Sequence, residues 1–344
     1  MRILITGGAG FIGCNLAAAC IRAGHQVTIF DNLSRRGSSA NLAWLREQFG
    51  DSFAVDVGDI REAAAIERAA RGQEAVYHLA AQTAVTTSVT DPRTDFEINA
   101  LGTFNVLEAA RKAGEDPVFI YSSTNKVYGG MEDAPAVERA TRYELPDYPR
   151  GVGEARPLDF HSPYGCSKGA ADQYVRDYAR IYGLRSVVFR QSCIYGQRQM
   201  GVEDQGWVAW FIIAAVTGQP ITIYGDGKQV RDLLHVDDLV AAFLAATERI
   251  DATRGQVYNL GGGPQNTLSI WAEFGPLLAE TLGKAIIPAA FKDWRPGDQP
   301  VFIADIAKAK AEFGWQPHIG VREGIARLAR WVEDNRELFA SSGG

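Results

Sequence analysis

Thr6-Gly7-Gly8-Ala9-Gly10-Phe11-Ile12-Gly13 follows the apolar run Ile3-Leu4-Ile5 and opens Phe11 to Arg22, whose apolar spacing is helical. In that setting Gly7 permits a tight turn, Gly10 a close backbone approach to a diphosphate, and Gly13 close packing of helix on sheet. The helix start adds unpaired N–H groups and the positive end of a dipole. The eight residues therefore predict the first β-turn-α unit of a dinucleotide-binding fold.

Working outward, Val27–Phe30, Phe53–Val55, Ala75–Tyr77, Val118–Tyr121 and Ser186–Phe189 are further short apolar runs of buried-strand type. Helical patterns lie between them, over 61–70, 96–112 and 163–182. This alternation predicts an α/β protein with a Rossmann-type doubly wound parallel sheet. After Arg190 strands become fewer, near 221–224 and 256–259, with helices expected over 236–248, 268–282, 306–313 and 321–337. We divide the chain into a dinucleotide-binding domain, 1–190, and a smaller α/β substrate lobe, 191–340.

Asp31 stands at the end of the second run, close to the ~20 residues beyond the glycines where an acidic residue accepts bonds from the adenosine ribose. Such a carboxylate repels a 2′-phosphate and favours NAD over NADP. Arg35 and Arg36 argue the other way, and an aspartate here also suits a turn cap.

Bulk properties exclude several classes. The 344 residues are 46% hydrophobic and 22% charged, ordinary for a globular chain, and 41 acidic against 35 basic residues leave a net charge of −6. No nucleic-acid partner is expected from that balance. Cys14, Cys20, Cys166 and Cys193 form neither a C-x-x-C pair nor a zinc pattern, so no metal is expected. No apolar run approaches the roughly 18 residues of a membrane span, and the N-terminus lacks a signal-peptide pattern. A cytoplasmic location follows as the expectation.

Tyr164-Gly165-Cys166-Ser167-Lys168 places a phenol and an ammonium at i and i+4, on one helix face. The ammonium is expected to lower the phenol's pKa, so that Tyr164 can take a proton from a sugar hydroxyl. Isolated, the spacing also arises on solvated faces. The strand end Ser122-Ser123-Thr124-Asn125-Lys126 adds a hydroxyl, Thr124, able to bridge substrate and tyrosine, while Ser122 and Ser123 suit local backbone bonding.

The glycine turn, Asp31, the Ser-Ser-Thr stretch and the Tyr164/Lys168 pair together resemble the extended short-chain dehydrogenase/reductase superfamily of nucleotide-sugar enzymes. The likeness runs from about residue 1 to 335. DNLSRRGSSANLAWL, SSTNKVYGG, DFHSPYGCSKGAADQY and GDGKQVRDLLHVDD resemble its epimerases most. The resemblance implies catalytic roles for Thr124, Tyr164 and Lys168. It implies cofactor contacts for Gly7, Gly10, Phe11, Ile12, Asp31, Asn32, Ser34, Arg35, Asp59, Ile60, Leu79, Ala80, Gln82 and Asn99, besides Tyr164 and Lys168. For the nucleotide sugar it implies Thr124, Asn125, Cys193, Val208, Tyr224, Arg231, Arg295 and Asp298. Arg231 and Asp298 also suit surface charges, and the aromatics near Gln205–Val208 suit plain lobe packing.

Three activities remain to be compared. Epimerisation needs one proton carrier and NAD. The family's 4,6-dehydration needs an Asp-Glu pair directly after the threonine, where this chain has Asn125-Lys126. A catalytically silent nucleotide-binding module would have no reason to keep Thr124, Tyr164 and Lys168. Cys193 stands where many relatives carry an asparagine near the sugar, which disfavours inversion at C4 and suits C2. A homodimer or homotetramer built on helices 96–112 and 163–182 is implied by the resemblance; Ala109-Ala110 and Ala170-Ala171 suit either that contact or the interior.

Overall fold

A computed structural model describes residues 1–295 and 298–339. Seven parallel strands form the central sheet: β1 (Arg2–Thr6), β2 (Gln26–Asp31), β3 (Phe53–Val57), β4 (Ala75–His78), β5 (Val118–Thr124), β6 (Arg185–Gln191) and β7 (Val257–Leu260). Their order is β7-β6-β5-β4-β1-β2-β3. Ile3 pairs with Val27 on one side and Ala75 on the other, so the chain turns outward in both directions from β1. The crevice beyond the carboxyl ends at such a reversal is where ligands settle in this class of sheet.

Alternation along the strands explains why both faces are covered. Ile3 and Ile5 join one core with Ile29, Ile120 and Phe189, beneath helix α1 (Phe11–Arg22) and the helix Val236–Glu248. Leu4, Phe30, Val76 and Phe119 join the other, against Ile66, Val106 and Val175. A third core of Phe211, Ile212, Phe274, Leu278 and Leu328 holds the smaller lobe together. Each fully buried side chain of this size stabilises the fold by about 1.5–3 kcal/mol.

The expected strands and the helices 11–22, 163–182 and 236–248 are present; two expected helices differ and one strand was not expected. β7 lies beyond residue 190 in sequence and pairs with β6, Val257 beside Val188. The expected helix 268–282 is a strand, Thr267–Ser269, followed by a shorter helix, Phe274–Leu282. Ser269 and Glu273 mark the break, each backbone N–H donating to the other's side chain at 2.9 Å. The strand Val230–His235 is buried throughout and was missed, since Arg231, Asp232 and His235 hide its apolar pattern. The helix 96–112 is interrupted by π-type turns over Glu97–Gly102. Residue 340 of the smaller lobe lies outside the described residues.

Among the described residues the four cysteines are free, no His/Cys/Asp/Glu cluster could hold a metal, and no helix is long and apolar enough to cross a membrane.

Candidate active site

The glycine turn forms one wall of a crevice of about 140 Å³ lined by Gly7, Asp31, Asn32, Ser34, Arg35, Asp59, Ile60, Ala80 and Gln82. Gly7 has φ +70°, and a Cβ there would meet Ala80 N at 2.7 Å. A Cβ on Gly13 would lie 2.2 Å from Gly7 O, so only glycine lets α1 start this close to the turn. Asp31 is 8% exposed, and its carboxylate accepts only two bonds, from Ala9 N at 3.0 Å and Leu33 N at 2.8 Å. Burial raises its pKa. A carboxylate with spare lone pairs at the end of β2 fits a ribose diol, and the Gly7–Gly13 cradle fits a diphosphate. Arg35 bonds Gln205, so this guanidinium is already engaged rather than held free for a 2′-phosphate.

Two of the expected cofactor residues stand back from the crevice. Gly10 caps α1 and donates its N–H to Gly7 O. Asn99 is 1% exposed and bonds Gln82 N and O, Asp95 and Ser167. It braces the Gln82 wall from behind. Asp95, itself 1% exposed, joins that wall to the helix Ser162–Tyr182, accepting from Gln82 Nε2 at 3.0 Å and Ser167 Oγ at 2.5 Å.

The crevice continues into a cavity of about 250 Å³ lined by Phe11, Ile12, Leu79, Thr124, Tyr164, Lys168, Gln191, Cys193 and Val208. Tyr164 and Lys168 project from the helix Ser162–Tyr182, Thr124 from the end of β5. Gln191 Nε2 is buried there without a partner, an open donor for a bound polar group.

The electrostatics differ from the sequence expectation. Burial pushes Tyr164 up to about 12, with Thr124's hydroxyl pulling it down and Asp95's charge adding to the rise. Lys168 Nζ donates to Ser122 O at 2.5 Å and lies 4.4 Å from the Tyr121 ring centroid. Burial pushes it down to about 7 against the pull of Asp172 and Asp95. The i, i+4 spacing places the pair on one face but fixes neither its depth nor the ammonium's partner. Of the neighbouring serines, Ser122 contributes its carbonyl, whereas Ser123 Oγ donates to Asp172 at 2.8 Å. Asp172 is paired with buried Arg190 at 2.9 Å, which locks β5, β6 and the catalytic helix together.

A larger cavity, about 470 Å³, opens from Thr124 and Tyr164 toward the smaller lobe. Asn125, Cys193, Tyr224, Arg231, Arg295 and Asp298 line it, whereas Val208 lines the smaller cavity. Arg231 donates to Asp298 Oδ1 at 2.6 Å, and Arg295 stacks 4.1 Å from the Tyr224 ring centroid. Pro296 and Gly297, between those two residues, lie outside the described residues. Lys126, marked in the sequence only as the replacement of an acid, lines the same walls; Thr83, Glu203 and Phe211 there carry no motif, because separate segments bring them together.

Residues 3–261 match the model of the NAD dependent epimerase/dehydratase family. The chain is 45% identical over 341 residues to the CDP-paratose 2-epimerase of Salmonella typhi, covering 96% of this chain and 99% of that one. The UDP-glucose 4-epimerase of Thermotoga maritima, solved with UDP-glucose, superposes with a TM-score of 0.82 at 32% identity, over 98% of this chain and all of the other. A dTDP-glucose 4,6-dehydratase from Streptomyces venezuelae, solved with NAD, gives 0.83 at 29% identity, over 98% of each chain.

Proposed function

The chain belongs to the NAD dependent epimerase/dehydratase family, and from that premise we propose that it is a CDP-paratose 2-epimerase, converting CDP-paratose to CDP-tyvelose. Its cofactor is NAD, held by the Gly7–Gly13 turn, Asp31 and the Gln82 wall. One observation carries the choice of epimerisation. Tyr164 faces the reacting cavity, no carboxylic acid among the described residues lines it, and the two positions after Thr124 hold Asn125 and Lys126. Elimination of water needs a general acid and base there; inversion does not.

When bound, NAD supplies the two-electron acceptor and donor that make the 2-ketosugar and remove it again. The chain's own part is to hold the substrate and handle one proton. Thr124 Oγ1 and Tyr164 Oη fix the C2 hydroxyl, and Tyr164 takes its proton on oxidation and returns it on reduction. At about 12 the phenol needs positive charge beside it to act as a base. Lys168, one turn along the helix, is the chain's own source. Arg231 and Arg295 hold the nucleotide diphosphate while the sugar turns over between the two events. The thiol of Cys193, a weak hydrogen-bonding group, leaves the sugar free to present C2.

A second copy of the chain completes the proposal. Phe96, Leu101 and Phe104 on one helical segment and Tyr174, Ile181 and Tyr182 on the next expose large apolar surface. Two such faces suit each other in a homodimer, which tetramers would extend. Ala109, Ala110 and Ala171 are buried within the protomer, so the interior reading of those alanines applies. Free thiols suit a cytoplasmic enzyme.

Incubation with CDP-paratose followed by proton NMR tests the assignment. Appearance of CDP-tyvelose is expected. An unchanged sugar, with a UDP-hexose inverted at C4 instead, would overturn it.

A further inference from the structure

Lys126 stands where elimination of water would need an acid. It follows Thr124 and Asn125 in the single 3-10 turn Asn125–Tyr128, with its backbone N–H donating to Thr124 Oγ1 at 3.2 Å. Its side chain is 24% exposed and runs along the wall of the larger cavity. The nearest carboxylate oxygen, Asp298 Oδ1, is 4.0 Å from its Nζ, beyond hydrogen-bonding range. That same oxygen already accepts from Arg231 at 2.6 Å and from Gln299 N at 3.2 Å. Two cations thus share one carboxylate, and the ammonium is left with unused donors facing the cavity.

An unmatched positive charge on a half-closed wall favours an anionic ligand. Arg231 is 5% exposed and its other terminal nitrogen donates to Val230 O at 2.7 Å, so it is fixed in place. Lys126, with a flexible stem and no side-chain hydrogen bond among the described residues, is the member free to move onto a ligand. Burial and the neighbouring Arg231 lower its pKa while Asp298 opposes them, which is the setting an arriving anion would relieve.

We propose that Lys126 is a specificity-determining residue that exchanges its long-range pairing with Asp298 for an oxygen of the substrate's diphosphate, on the phosphate that carries the sugar. The inference rests on the nucleotide-sugar reading above. It gives Lys126 a task that Asp or Glu in its place could not perform. The same residue that removes the elimination machinery thereby anchors the phosphate about which the sugar must turn.

Lys126→Met and Lys126→Arg in the full chain test this, with binding of CDP, UDP, dTDP and inorganic diphosphate measured calorimetrically. Lys126→Met is expected to weaken the preferred nucleoside diphosphate and inorganic diphosphate by about tenfold or more. It should raise KM for the nucleotide sugar with a smaller change in kcat. Retained NAD and thermal midpoint should stay at wild-type values, and Lys126→Arg should recover most of the affinity. Equal binding of the diphosphates by wild type and Lys126→Met would overturn the inference. So would weaker binding confined to the intact nucleotide sugar, since that would place Lys126 on a sugar hydroxyl. A wild-type protein that binds none of the nucleoside diphosphates would instead overturn the functional reading itself.

Discussion

The two ends of the active site are built on opposite plans. The cofactor end is made of backbone: a turn that accepts no Cβ, a helix start, and strand ends pinned by the parallel sheet on both sides. The substrate end is made of side chains from distant segments: Lys126, Arg231, Tyr224, Arg295 and Asp298. A backbone cradle loses little freedom on binding and holds its ligand through many turnovers. Charged side chains drawn from separate elements grip a diphosphate and leave a sugar room to turn. A reaction that oxidises and then reduces one carbon needs that asymmetry.

Substitutions at each end should separate the two plans. The largest effect is expected at the junction: Tyr164→Phe should lower kcat by about 10²–10⁴-fold while NAD and CDP still bind. Turnover near the wild-type rate would show that another group carries the proton. At the cofactor end, Gly13→Ala forces a Cβ against Gly7 O, where the gap is 2.2 Å. Overpacking of that kind costs roughly 1–3 kcal/mol. Mass spectrometry of the ligands released from the purified variant should find NAD depleted, and full retention would show that the cradle is not rigid.

At the substrate end Arg231→Met should do the reverse, weakening CDP binding about tenfold or more with NAD retained. Loss of both ligands together would mean that the two ends are not independent. The smallest effect concerns Lys168. Burial holds it near 7, so between there and the ordinary lysine value of about 10.5 the unfolded chain binds a proton that the folded chain does not. Stability gained from this group therefore rises with pH across that window and is lost as pH falls through 7. Lys168→Met should raise the thermal midpoint over wild type by roughly 2–4 °C below pH 7, with the gain shrinking toward pH 10. A gain that grows with pH would contradict the assignment.

The same contrast decides what the sequence discloses. Gly7, Gly13 and Asp31 were legible because one strand, one turn and one helix fix them within a short stretch. Tyr164 and Lys168 were legible as a helical spacing, but their charges were not. Depth of burial and the Ser122 carbonyl belong to the tertiary structure, and they reverse the expected shift of the phenol. Arg231 was found through its motif although its strand was not, since a buried strand with three polar side chains shows no apolar alternation. Lys126 showed locally only as the replacement of an acid, and Thr83 and Glu203 had no local signal; only the packing of the lobes makes them neighbours. Asn99, which the resemblance assigns to the cofactor, bonds Gln82 through both atoms of its amide, a contact that only the tertiary structure discloses.

The central claim is that the hydrogen removed from C2 is returned to C2, with Tyr164 handling the only proton exchanged. CDP-paratose carrying deuterium at C2, converted in ordinary water and analysed by NMR and mass spectrometry, tests it directly. The account predicts CDP-tyvelose that keeps the deuterium at C2; product in which that label has been replaced by solvent hydrogen would contradict it.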